Sequence, residues 1–298
     1  MSKIFEALQK AEKEQAGPAP EKTEETPKDK AVNLPELESL VRFSTAAIEP
    51  RPSAGKISPW LIVHWQPDSP VVEQIKRVRT HIQHYTVGPT PPRTIMVTSA
   101  VAGEGKSLLA ANLAASIAQG VNESVFLVDG DIRNPVLHNY FSQPQSPGLS
   151  EFLVGEAELK DIVRSTPIPK LKLVPAGGKK NNPIELISSE RMGELVREIK
   201  ATGQDCFLVL DSTPVMVTNE PRILAKIMDG VVLVVRHDMT PRQAVKESIS
   251  SLGKEKILGV IFNDARLDSL RIFGYRYKDY DGGYEEFRGK KKGKRSKR

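Results

Sequence analysis

Thr94-Ile95-Met96-Val97-Thr98-Ser99-Ala100-Val101-Ala102-Gly103-Glu104-Gly105-Lys106-Ser107-Leu108 is the stretch that decides how this chain folds. It begins as an apolar run, Thr94–Thr98, that reads as a buried strand, and it ends by opening a helix over Lys106–Gln119. Between them, Gly103 and Gly105 let the backbone turn its N–H groups inward, beside a helix N-terminus whose dipole favours anions. A strand, a glycine-containing turn, Lys-Ser and a helix form the context a phosphate-binding loop requires. In that context Lys106 is expected to reach the β- and γ-phosphates of ATP, and the Ser107 hydroxyl to hold Mg²⁺. Ala102, Gly103, Glu104, Gly105 and Leu108 complete the expected cradle, with Ala100 standing where the usual first glycine would be.

Outward from this loop, apolar strand runs recur at Ser124–Val128, Leu171–Val174, Cys206–Leu210, Gly230–Val235 and Leu258–Phe262. Helical stretches intervene, among them Val71–Tyr85, Ser189–Ala201 and Pro241–Leu252. Strands that are apolar throughout, separated by helices, indicate an α/β fold: a doubly wound, mostly parallel sheet covered on both faces. Two strands run into carboxylates. Val125–Val128 leads to Asp129-Gly130-Asp131-Ile132-Arg133, and Phe207–Leu210 leads to Asp211-Ser212-Thr213-Pro214. Residues two apart in an extended segment point the same way, so Asp129 and Asp131 are expected to face one site. Ligands of doubly wound sheets bind outside the carboxyl ends of the strands, where all three acids and the phosphate loop fall.

The ends of the chain differ from this middle. Residues 1–15 read as a short amphipathic helix, with Ile4, Phe5, Leu8 and Ala11 on one stripe. Residues 16–69 read as a Pro-rich linker, because the stretch from Ala16 to Pro70 holds nine of the 22 prolines. Trp60–Trp65 is an apolar island in it, read as a strand docked on the main body. Residues 70–264 are the nucleotide-binding domain and 265–298 a polar tail. The net charge of +6, from 43 Lys and Arg against 37 Asp and Glu, belongs to that tail: eight of the basic residues lie in Arg288–Arg298, and the remainder of the chain is slightly acidic. A body of that charge argues against a nucleic-acid-binding domain. The longest apolar runs are far short of the ~20 residues a spanning helix needs. A single cysteine, Cys206, excludes an internal disulfide framework and reads as a buried, inert thiol.

Four of the six tyrosines, Tyr275, Tyr277, Tyr280 and Tyr284, fall in the tail among glycines and charges, with no periodicity that would suggest a core face. Three readings stand on these residues: a disordered aromatic tail, a nucleic-acid tail with stacking rings, or phospho-acceptors delivered to an ATP site.

With the loop Ala100–Ser107, the strand followed by Asp129, Asp131 and Arg133, and Asp211-Ser212-Thr213-Pro214, the chain resembles the bacterial tyrosine autokinases of capsule and exopolysaccharide loci. The resemblance extends over roughly Ser69 to Tyr284 and includes Gly148–Leu153, Pro175–Gly177, Asn182–Leu186 and Asp229–Arg236. Met1–Lys13 is similar to the leader of the exosortase-associated, PEP-CTERM-locus branch. The related ParA/MinD-type ATPases carry a signature lysine where Val101 stands here, and they lack a tyrosine tail; a nucleotide-controlled dimerisation switch of that type is the alternative reading.

The resemblance implies a protein-tyrosine kinase that transfers phosphoryl groups from ATP, with Mg²⁺, to Tyr275, Tyr277, Tyr280 and Tyr284. It implies Lys106, Asp129, Asp131 and Asp211 as catalytic residues, with Asp129 the base and Ser107, Asp131 and Asp211 arranging the metal. Arg133 joins the phosphate site, and Asn263 and Asp264 meet the adenine edge; an ordinary turn former is the competing reading of Asn263. The family's E-x2-R-x2-R helix motif, which packs subunits into a ring, reads here Glu73-x2-Lys76-x2-Arg79; an ordinary helical pair of Glu73 with Arg77 is the competing reading. The implied partners are further copies of the chain, the cytoplasmic tail of a Wzz-like membrane polysaccharide co-polymerase, and a cognate tyrosine phosphatase. The implied location is cytoplasmic, at the inner face of the plasma membrane.

Overall fold

The computed structural model describes residues 42–45, 57–85 and 90–265. At its centre is an eight-stranded sheet. The strands are β1 (Arg42–Ser44), β2 (Thr94–Ser99), β3 (Ser124–Asp129), β4 (Arg164–Ser165), β5 (Leu171–Val174), β6 (Cys206–Asp211), β7 (Gly230–Arg236) and β8 (Ile257–Asn263). Their spatial order is β1-β8-β7-β2-β6-β3-β5-β4. Every neighbouring pair is parallel except β4 with β5, which is antiparallel. From β2 the chain crosses over to β3 and goes on to β5, then returns through β6 into the gap between β2 and β3. It then continues on the other side of β2 through β7 and β8. This reversal brings the carboxyl ends of β2, β3 and β6 side by side, with Asp129 in register with Asp211, and Val97 with Asp211.

The central strands are continuous apolar runs because both their faces are covered. All six residues of β2 and of β6 are buried. Against the sheet lies α3 (Lys106–Ala118), buried on nearly all sides from Leu109 to Ala118. Its alanines at 110, 111, 114, 115 and 118 allow close approach to the sheet below and the chain above. Over α3 pack α1 (Ile62–Trp65) and α2 (Pro70–Gln83). Helix α2 starts where Ser69 Oγ accepts the Val72 amide at 3.3 Å and Pro70 occupies its first turn. It buries Val72, Ile75, Val78 and Ile82, spaced three or four apart on one face, each contributing on the order of 2 kcal/mol. The remaining helices are α4 (Leu137–Tyr140), α5 (Leu149–Leu153), α6 (Leu159–Ile162), α7 (Pro183–Ile187), α8 (Glu190–Ala201), α9 (Glu220–Ile227) and α10 (Arg242–Leu252). No helix among the described residues is long and apolar enough to cross a membrane.

Two pieces of the stretch read as linker are part of this body. The apolar island at Trp60–Trp65 is helical, not a strand: Leu61, Ile62 and Val63 are buried. The segment is clipped to α3 by Asn112, whose Oδ1 accepts the Val63 amide and whose Nδ2 donates to the Trp60 carbonyl. A single turn closed onto another helix buries three apolar side chains in a row, a pattern that also reads as a strand. Further upstream, Arg42–Ser44 adds the edge strand β1 to β8. The stretch read as an N-terminal helix and the four tail tyrosines lie outside the described residues.

Candidate functional site

The phosphate loop leaves the end of β2 through Ala100, and its two glycines take left-handed backbone angles, φ +83° at Gly103 and +88° at Gly105, which side-chain-bearing residues resist. The loop is stapled from within by Glu104. Its buried carboxylate accepts the Val101 amide at 2.7 Å, the Arg236 amide at 3.1 Å and the Thr240 hydroxyl. The side chain of Glu104 thus belongs to the scaffold, leaving its backbone amide for a ligand. Ala102 and Gly103 are exposed at the tip, and Leu108 is half-buried in the first turn of α3.

Lys106 projects from the start of α3 into the carboxylates. Its Nζ lies 2.9 Å from Asp131 Oδ2, 3.5 Å from Asp211 Oδ1 and 3.0 Å from Ser107 Oγ. Burial works against its charge, but Asp211, then Asp131 and Asp129, outweigh it and raise the ammonium above its ordinary pKa. Asp211, the last residue of β6, is fully buried, and its Oδ1 lies across from the Lys106 ammonium. Desolvation pushes its pKa up to about 6, with Lys106 opposing the rise. Asp129, the last residue of β3, is equally buried, but its Oδ2 accepts the amides of Val136 and Leu137 at 3.1 and 3.0 Å, while Oδ1 has no partner. Desolvation, and then the neighbouring Asp211, push it up to about 8. Asp131 stands just beyond, its Oδ1 accepting the Asn134 amide at 3.0 Å. Gly130 permits this crowding: its amide donates to the Asp211 carbonyl at 2.8 Å, and an added Cβ would fall 2.7 Å from that oxygen.

The predicted acids, lysine and serine thus come together at one place, with two adjustments. Asp129 and Asp211 lie inside their strands rather than after them. Arg133 is turned to Glu220 at the start of α9, Nε to Oε1 2.8 Å, and not to the phosphate loop. Asn263, read as an adenine contact, has both ends of its amide engaged. Nδ2 donates to the Glu104 carbonyl at 2.9 Å, and Oδ1 accepts from Thr45 Oγ1 at 3.0 Å. Asp264 pairs with Arg236 at 2.8 Å. Three residues that the motifs did not single out also border the site. Glu220 and Thr240 announce themselves by no spacing; Tyr140 ends a one-turn helix, its phenol raised by burial and then by Asp211.

The helix-motif residues lie apart from this site. Lys76 approaches Glu73 at 3.7 Å and donates to the Pro67 carbonyl. Arg79 reaches inward, Nη1 to the Ser116 carbonyl at 2.8 Å, tying α2 to the end of α3.

These features define a nucleotide-binding domain of the MinD and ParA type, and residues 95–273 match the family described as CobQ/CobB/MinD/ParA nucleotide binding domain. Among curated relatives, the tyrosine-protein kinase YwqD of Bacillus subtilis is 32% identical over 217 residues, which are 72% of this chain and 90% of that protein. The succinoglycan biosynthesis transport protein ExoP of Rhizobium meliloti is 32% identical over 201 residues, 66% of this chain but only 25% of that longer protein. The crystal structure of the chimerical protein CapA2B2 superposes with a TM-score of 0.68 at 29% identity, covering 78% of this chain and 97% of that one. The chain belongs to the bacterial tyrosine-protein kinases, within that wider nucleotide-binding class.

Proposed function

We propose that this protein transfers the γ-phosphoryl group of ATP to tyrosines of its own tail: Tyr275, Tyr277, Tyr280 and Tyr284. The observation that carries the reading is the meeting of Lys106, Ser107, Asp129, Asp131 and Asp211 below a phosphate loop, in a chain that also ends in a tyrosine cluster.

On this reading each group has a task. Lys106, which lies among the acids at the start of α3, would contact the β- and γ-phosphates, a strong charge-assisted contact for a loose, highly charged transition state. Asp129 keeps Oδ1 unused, and its raised pKa brings it near the working pH, where a base is most effective. As the bond from the tyrosine oxygen to the γ-phosphorus forms and the bond to the β–γ bridging oxygen breaks, Asp129 takes the phenolic proton and ADP leaves. Ser107, Asp131 and Asp211, gathered around Lys106, would form an all-oxygen donor set suited to Mg²⁺. That ion supplies charge neutralisation at the phosphates. The phosphate loop's backbone amides and the N-terminus of α3 contribute the rest of the binding.

The names of relatives and the sequence resemblance support a place in exopolysaccharide production. There the chain would work peripherally at the inner face of the plasma membrane, with a Wzz-like co-polymerase as activator and a tyrosine phosphatase as its counterpart. Residues 70–264 would then be the kinase domain and 265–298 its substrate tail. Further copies of the chain would pack through the exposed Glu73 and the half-buried Lys76. Arg79, turned inward, would act there only indirectly. The test is incubation with ATP and Mg²⁺ followed by detection of phosphotyrosine. Labelling in the native chain and none in Lys106→Met is expected; hydrolysis of ATP without labelling would favour the dimerisation switch.

A further inference from the structure

We propose that Thr45 and Asn263 are positioning residues for the nucleotide, joining the edge of the sheet to the phosphate loop by a hydrogen-bonded relay. The relay starts at Thr45, the residue after β1. It is completely buried, and its hydroxyl donates to Asn263 Oδ1 at 3.0 Å. This fixes which end of the amide faces the loop: Asn263 Nδ2 points at Glu104 and donates to its carbonyl at 2.9 Å. In a planar trans peptide the C=O and the following N–H point in opposite directions. Holding the Glu104 carbonyl outward therefore turns the Gly105 N–H toward the phosphate side of the loop. The contact is tight, since a Cβ at Gly105 would fall 2.3 Å from Asn263 Nδ2. The Glu104 side chain anchors the same residue to Arg236 and Thr240, so its peptide is held from two directions.

The same residue joins two other parts of the chain. The Thr45 amide donates to the Phe262 carbonyl, and the Thr45 carbonyl accepts the Ala265 amide, both at 2.9 Å. Ala265 is where the chain passes into the segment that carries the four tyrosines. Thr45 thus sits where the N-terminal segment, the root of the tail and the phosphate loop are bonded to one another. A change that pulls either segment away removes a restraint on the Gly105 amide, and by reciprocity bound nucleotide tightens the junction.

The test uses the full chain and binding of Mg·ADP, which requires no phosphoryl transfer; the relay and the kinase reading can therefore fail separately. Thr45→Val removes the hydroxyl at nearly constant volume and is expected to weaken ADP by roughly three- to tenfold, the effect of one lost hydrogen bond. Thr45→Ser should restore affinity to within about twofold of the native chain. Hydrogen exchange of the native chain is the companion measurement: saturating ADP should slow the amides of Thr45 and Ala265. A folded Thr45→Val variant that binds ADP as the native chain does, a Thr45→Ser variant as weak as the valine one, or exchange at Thr45 and Ala265 indifferent to ADP would each overturn the proposal.

Discussion

The centre of the sheet and its β1–β8 edge solve different problems with the same backbone. At the centre, β2, β3 and β6 are covered on both faces, and the burial that holds them also strips water from Asp129, Asp211 and Lys106. At the edge, three residues of β1 are held by ladder hydrogen bonds to β8, and polar Thr45 and Asn263 are satisfied by each other and by the phosphate loop. The centre is stable despite its charges, and the edge is ordered by its polar contacts. The lesson is that the charged groups of the site are placed under the deepest burial, while the edge reaches the phosphate loop through polar contacts.

The largest effect should come from breaking the centre's charge cluster. Lys106→Met removes the cation that Asp131 and Asp211 share and should lower tyrosine phosphorylation at least a hundredfold, read as initial rates with ATP and Mg²⁺. Next in size is the seam between α2 and α3. Arg79→Ala leaves the Ser116 carbonyl without its charged donor, a loss of about 1.5–3 kcal/mol that calorimetry should read as a Tm lower by roughly 3–8 °C.

A smaller effect separates the two central aspartates. Because the folded-state pKa of Asp129 is raised from 3.8 to about 8, the native state holds a proton there that the unfolded chain has lost. That group's contribution is therefore most favourable below about pH 4 and is lost as pH climbs toward 8. Asp129→Asn keeps an oxygen for the Val136 and Leu137 amides without the charge. It should raise Tm by roughly 2–5 °C at pH 8, with the gain vanishing near pH 4, even as phosphorylation falls. The smallest stability effect belongs to the exposed helix face: Glu73→Ala should leave Tm within about 1 °C of native while reducing the sedimentation coefficient of the assembly, if copies pack there.

Much of the centre was legible because strands buried on both faces have to be apolar end to end, and glycines followed by Lys-Ser at a helix start have few uses besides phosphate. Leu171–Val174 and the core of each other central strand stand where their apolar runs place them, with the ends of β2, β3 and β6 shifted by one residue because Ser99, Asp129 and Asp211 still pair in the ladder. The edge was not legible. Arg42-Phe43-Ser44 has neither length nor alternation to mark a strand, and it is extended because β8 offers it a partner. The turn of Arg133 to Glu220 depends on α9 arriving from nearly ninety positions along the chain, which no local spacing reports. Asn263 could be seen to end a strand near the ligand, but its engagement with Thr45 and Glu104 depends on β1 having docked.

The most direct examination of the central claim is site mapping by mass spectrometry after the purified chain is dephosphorylated and supplied with ATP and Mg²⁺. Phosphate should appear on Tyr275, Tyr277, Tyr280 and Tyr284 in the native chain and on none of them in Lys106→Met. Native protein that turns over ATP while all four remain bare would contradict the account.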